Sequence, residues 1–147
     1  MQFFLELDPV AKPRMTQRDR WSKRPAVLKY WKFKDDLADV RDDLAAFILE
    51  HPDVQITFGI PMPKSWSKKK SRERLLGYHK QRPDVDNLLK GLLDAVMDED
   101  SAVSSVFCQK IWTRKGFMLV TKGWDLADLQ NELFLKAGDK DDSKQSK

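Results

Sequence analysis

Residues 82–100, RPDVDNLLKGLLDAVMDED, constrain this chain more than any other stretch. Leu88, Leu89, Leu92, Leu93 and Val96 recur at three- and four-residue spacing, which predicts a helix with one apolar stripe that must be buried. Pro83 stands before it, and Asp84 or Asp86 suits its start. The stretch also holds six carboxylates, Asp84, Asp86, Asp94, Asp98, Glu99 and Asp100, with Lys90 alone among them. The stripe explains the leucines. The acids need another reason, because the chain as a whole carries a formal net charge of +4.

The rest of the chain alternates strand-like and helical patterns. FFLELDP reads as a first strand stopped by Pro9, and residues 11–27 as an irregular basic loop in which Pro13 and Pro25 oppose regular structure. From about Leu28 to Glu50 the spacing of Leu37, Val40, Leu44, Phe47 and Ile48 predicts a helix, ended by His51-Pro52. VQITFGI is a second strand, closed by PMP. Residues 64–82 have no apolar period and are expected as a long mobile loop. After the acidic helix, AVSSVFCQKIWTR and GFMLVTKGW form two strands joined by Arg114-Lys115-Gly116, which predicts a hairpin. Residues 125–136 suit a short amphipathic helix through Leu126, Leu129, Leu133 and Phe134, and the tail beyond has nothing to bury and is expected to be disordered. The order β-α-β-α-β-β-α predicts an α/β (α+β) fold, a small mixed sheet with helices packed on it.

Composition narrows the class. At 147 residues and 41% hydrophobic the chain suits one domain with one core. No stretch approaches the roughly 18 apolar residues of a membrane span. The N-terminus runs apolar then basic, the reverse of a secretory signal. Cys108 stands alone, which excludes a disulfide framework and a cysteine metal cluster and suits a reducing cytoplasm.

Charge is segregated in blocks. Residues 11–34 carry Lys12, Arg14, Arg18, Arg20, Lys23, Arg24, Lys29, Lys32 and Lys34 against Asp19. Residues 64–82 carry Lys64, Lys68, Lys69, Lys70, Arg72, Arg74, Lys80 and Arg82 against Glu73. A single basic run is usually a solvated loop. Two runs that also contain Trp21, Tyr30, Trp31, Trp66 and Tyr78 point to nucleic acid, because aromatics among phosphate-binding cations offer stacking or wedging surfaces. Lys12, Arg14, Lys64, Lys68, Lys69, Lys70, Arg72, Lys80 and Arg82 are the candidate DNA contacts.

Beside such a surface the acids acquire a chemical meaning. On a regular helix Asp84 and Asp86 would point about 200° apart. They converge only if Asp84 precedes the helix in extended conformation, which Pro83, immediately upstream at the helix boundary, allows. Asp86 and Lys90 are neighbours on one face, with Asp94 next along, and an acid from Asp98–Asp100 can return beside them. The bland alternative makes Asp84 an N-cap, Asp86 a first-turn acid and Asp86–Lys90 a surface pair. Acids beside a polyanion-binding surface repel the ligand unless a divalent cation neutralises them. Mg²⁺, which prefers carboxylate and water oxygens, serves phosphodiester cleavage. Neither histidine offers a better alternative, since His51 and His79 read as surface residues, and no glycine-rich phosphate loop or nucleophile elbow is present.

KQRPDVDNLLKGLLDAVMDEDSAV, with PMPKSWSKKK and AKPR upstream in matching order, resembles the RusA-like Holliday junction resolvases, phage- and prophage-associated endodeoxyribonucleases. The likeness runs from about residue 3 to residue 123. It implies that Asp84, Asp86 and Asp100 are metal-binding acids and Lys90 a catalytic lysine. It also implies Mg²⁺ dependence (Mn²⁺ being the alternative ion), a homodimer, and paired nicks across a four-way junction in a bacterial or phage-infected cell. The stretch from Asp94 to Asp100 is shorter than in the best-known member, which leaves Asp98 and Glu99 as alternatives for the third acid. Residues 1–124 would form the nuclease domain, with 125–147 an extension beyond the resemblance. Two other readings compete: a non-catalytic DNA-binding protein with a structural acidic helix cap, and a metal-dependent phosphotransferase or phosphatase, disfavoured by the breadth of the basic surface.

Overall fold

The β-branched and aromatic run after Pro52 becomes one of the two inner strands of a four-stranded sheet. The computed structural model describes residues 2–14 and 24–123. The strands are β1 (Phe3–Leu5), β2 (Val54–Pro61), β3 (Phe107–Thr113) and β4 (Phe117–Lys122), and the helices α1 (Pro25–Asp36), α2 (Arg41–Glu50), α3 (Lys68–Arg74) and α4 (Val85–Val96). The fold is a mixed α+β one, in the chain order β-α-α-β-α-α-β-β. No described helix is long and apolar enough to cross a membrane.

These residues fall into two compact units, each assembled from separated stretches of chain. One takes the residues up to Pro9, Asp53–Lys80 and those from Phe107 on. It contains the sheet, in the order β1-β4-β2-β3. β2 runs parallel to β3, with Gln55 opposite Phe107, and antiparallel to β4, with Gly59 opposite Phe117. The expected β3–β4 hairpin is therefore not formed. Pro61 ends β2, so the chain after Thr113 can pass beyond that end and return as β4 on the far side. Gly116 lies in this passage, where a Cβ would sit under 3 Å from Asp8 Cα. Ile111, Phe117 and Leu119 form a buried cluster with Phe4 and Leu76 against it, and the Thr57 hydroxyl accepts from the Gln109 amide at 3.1 Å across β2 and β3.

The same unit contains α3, where the sequence suggested only a loop. Lysines and arginines are adequate helix formers, and Ser67 supplies the missing start by accepting from Lys70 N–H at 3.1 Å. α3 buries nothing of its own. Its flanks hold it: Trp66 packs on Trp112 with ring centroids 4.7 Å apart, and the chain returns through Leu76 at φ 64°.

The second unit takes the described part of Val10–Pro52 together with Gln81–Val106. The single helix expected over 28–50 is two. Pro25 starts α1 inside the supposed loop, and the chain breaks at residues 37–40, within DDLADVRDD, whose aspartates are poor helix formers. The break leaves Leu37 and Leu44 both fully buried, with Val27, Tyr30, Phe33, Phe47 and Ile48. α4 forms where expected and buries Leu88, Leu92, Leu93, Ala95 and Val96, while Leu89 of the expected stripe is only half-buried. At Gly91 the segment Val10–Lys12 crosses it so closely that a Cβ would lie 2.5 Å from the Val10 carbonyl oxygen. The Tyr30 hydroxyl donates to Gly91 O at 2.8 Å, and Lys12 N–H to Asn87 O at 3.2 Å. Residues 15–23 and the expected C-terminal helix and tail lie outside the described residues.

Candidate functional site

The conformation required of Asp84 is present. It stands at the N-cap of α4 with φ −69° and ψ 145°, extended, while Asp86 lies in the first helical turn. The Asp84 carboxylate makes no capping hydrogen bond, although its backbone carbonyl accepts from Leu88 N–H at 3.1 Å. The explanation of Asp84 as a side-chain cap thus lacks its bond.

The remaining acids separate into two sets. Asp94 accepts from Lys12 Nζ at 3.0 Å. Asp98 accepts from the Arg41 guanidinium at 2.8 Å. Glu99 accepts from Ser101 N–H at 3.1 Å. By contrast, the side chains of Asp84, Asp86, Lys90 and Asp100 have no hydrogen bond or ion pair among the described residues. Asp84, Asp86 and Lys90 are exposed, and Asp100 is half-buried. The Asp86–Lys90 surface pair that the bland alternative requires is not made.

Exposed carboxylates without protein partners have the donor chemistry Mg²⁺ takes, hard oxygens with room for water and substrate phosphate. Among the described residues no three of His, Cys, Asp and Glu are gathered into a group that could hold a metal ion. Asp100 is accordingly not drawn together with Asp84 and Asp86 within one chain. The fit rests on donor type and availability.

Of the candidate DNA contacts, Arg14, Lys64, Lys68, Lys69, Lys70, Arg72, Lys80 and Arg82 are exposed. Lys12 differs. Its ammonium is held by Asp94 and lies 5.1 Å from the centroid of the Tyr30 ring. That ring is buried, and burial together with the Asp94 charge pushes its hydroxyl pKa up to about 12, so it remains a donor. Lys70 sits 4.4 Å over the Trp66 ring.

His79 is not the surface residue expected from its basic surroundings. It is 4% exposed and packs on Trp112 at 4.2 Å between centroids. The apolar signal was Trp112, remote in sequence. Burial, then the Lys110 charge, lowers its pKa below the ordinary 6.5.

Residues 6–121 match the family model described as endodeoxyribonuclease RusA. The class is therefore that of DNA-cleaving enzymes. The match spans well over half of the chain, and the chain belongs to the RusA family, whose activity is the resolving of Holliday junctions. No curated protein matches it.

Proposed function

We propose that the protein is a Mg²⁺-dependent, structure-selective endonuclease that resolves four-way junctions and other branched DNA by paired nicks. The observation that supports this best is the sorting of the acids. Those that the resemblance assigns to metal and catalysis are the ones left without protein partners, while Asp94, Asp98 and Glu99 are each engaged.

Asp84 and Asp86 would hold the ion, and Asp100, which stands apart from them in this structure, would complete the set only on moving toward them; Mn²⁺ would suit the same donors. When bound it supplies activation of water and stabilisation of the leaving oxygen. Lys90, one helical turn beyond Asp86, offsets negative charge on the scissile phosphate. Exposed cations of the 64–82 stretch hold the DNA backbone. A homodimer suits this task, because a four-way junction offers two equivalent strands and a twofold dimer matches that symmetry. Such a substrate places the enzyme with DNA, in the cytoplasm of a bacterial or phage-infected cell.

Incubation with an end-labelled four-way junction, with and without Mg²⁺, tests the reading. Paired symmetric nicks only with the ion are expected. Binding without cleavage at any Mg²⁺ or Mn²⁺ concentration would instead identify a non-catalytic DNA-binding protein.

A further inference from the structure

The two basic runs contain six phenylalanine, tyrosine and tryptophan side chains, of which Phe33 is buried, and the structure sorts the other five. Trp21 is outside the described residues. Tyr30 is buried, and Trp66 packs on Trp112 beneath Lys70. Trp31 is 38% exposed on α1. Tyr78 is 70% exposed, the most of any large hydrophobic side chain described.

Such exposure usually accompanies a loosely held loop, but the backbone at Tyr78 is fixed. Tyr78 forms an antiparallel bridge with Ile111. Leu76 N–H donates to Trp112 O at 2.9 Å, Trp112 N–H to Gly77 O at 2.9 Å, and His79 N–H to Lys110 O at 3.1 Å. The segment thus lies along the outer edge of β3 as a short extra strand. Alternation then turns His79 inward onto Trp112 and Tyr78 outward. The Tyr78 side chain has no hydrogen bond or ring contact among the described residues. Arg72, Arg74 and Lys80, all exposed, are its near neighbours in the chain.

A flat ring on a rigid backbone, set among cations, can stack on a base at small entropic cost, while the cations hold the phosphates on either side. Intact duplex offers no such base. A branch point does, because bases there can leave the stack without breaking long runs of pairs. We infer that Tyr78 is a stacking site for an unstacked base at the branch point of DNA, and so a determinant of branched over linear substrate. This rests on the branched-DNA reading above.

The test uses a four-way junction carrying 2-aminopurine at the branch point and a linear duplex of the same arm sequence, without divalent ion so that nothing is cleaved. Tyr78→Phe keeps the ring and should bind both DNAs as the wild type does, with the same fluorescence change. Tyr78→Ala and Tyr78→Leu should lose about 5- to 100-fold in junction affinity, lose the fluorescence change, and bind duplex unchanged. Leu keeps apolar bulk, so its failure identifies stacking, and it is the second variant should Ala unfold. Equal junction affinity in Tyr78→Ala, or equal losses on junction and duplex, overturns the inference while leaving the enzyme reading intact. A wild type that does not prefer junction to duplex overturns both.

Discussion

Lys12 Nζ lies 3.0 Å from Asp94 Oδ2, an ion pair between two residues 82 positions apart in sequence. Both side chains are about three-quarters buried, at 26% and 27% exposure. The pair fastens the start of the basic segment onto the face of α4 that also bears Asp86 and Lys90.

A lysine held in this way must give up Asp94 before it can reach a phosphate. Lys12→Met should cost about 0.5–1 kcal/mol in urea denaturation and leave the salt dependence of DNA binding unchanged. A shallower slope in binding titrations would show that Lys12 leaves Asp94 for the DNA. The reversed pair, Lys12→Asp with Asp94→Lys, should recover part of the lost stability.

The carboxylates give the sharpest contrast. Because Asp84 makes no side-chain capping bond, Asp84→Asn should change stability by no more than a few tenths of a kcal/mol. Junction cleavage should nevertheless fall by orders of magnitude while binding survives or tightens. Asp98→Asn, which loosens only the exposed Arg41 contact, should retain cleavage, and Asp100→Asn should not. Gel assays of nicking beside thermal melts decide this, and wild-type nicking by folded Asp84→Asn and Asp86→Asn proteins would refute the enzyme reading.

Within α3 the three lysines are not equivalent. Lys68 and Lys69 are exposed, whereas Lys70 lies over Trp66. Alanine at Lys68 or Lys69 should each make the plot of log affinity against log salt shallower by about 0.9, the value of one phosphate contact on duplex arms. Alanine at Lys70 should change the slope less.

Gly91 cannot be enlarged without moving Val10–Lys12. Gly91→Ala would place a methyl 2.5 Å from Val10 O and 3.1 Å from Lys12 N. Overpacking of this kind costs about 1–3 kcal/mol and outweighs the gain in helix propensity of about 1 kcal/mol. Denaturant titration should show a net loss, accompanied by weaker cleavage as the segment shifts.

His79 should make stability depend on pH on the acid side. Its pKa is lowered in the folded state, so between that value and about 6.5 the unfolded chain binds more protons. Its contribution is whole above about pH 6.5 and is lost as pH falls through the folded value. The melting temperature of the wild type should drop more between pH 7.5 and 5.5 than that of His79→Phe, which keeps the packing on Trp112.

Local patterns made much of this legible. The leucine stripe marked α4 to within a residue or two, and Pro83 ahead of Asp84 marked the boundary before it. What escaped was set by partners distant in sequence. Nothing within residues 107–123 reveals that β2 lies between β3 and β4, since Arg114-Lys115-Gly116 suits a hairpin equally well. The seven residues of α3 have no apolar face, so periodicity could not find them; Ser67 as cap and Trp66 as anchor were the available signals. The burial of His79 depended on Trp112. Among the acids, spacing alone could not tell Asp98 from Asp100, because the difference lies in Arg41.

The placement of β2 also bears on how the chain is made. Both of its neighbours, β3 and β4, come from the last strands described, so during synthesis β2 waits with two bare edges until residues 107–122 emerge. Bare edges recruit other strands, and the parallel closure onto β3 must span the long stretch from Met62 to Val106. A ribosome stalled before residue 107 would therefore release a fragment whose longest strand has nothing of its own to pair with, and such fragments should aggregate rather than fold in part.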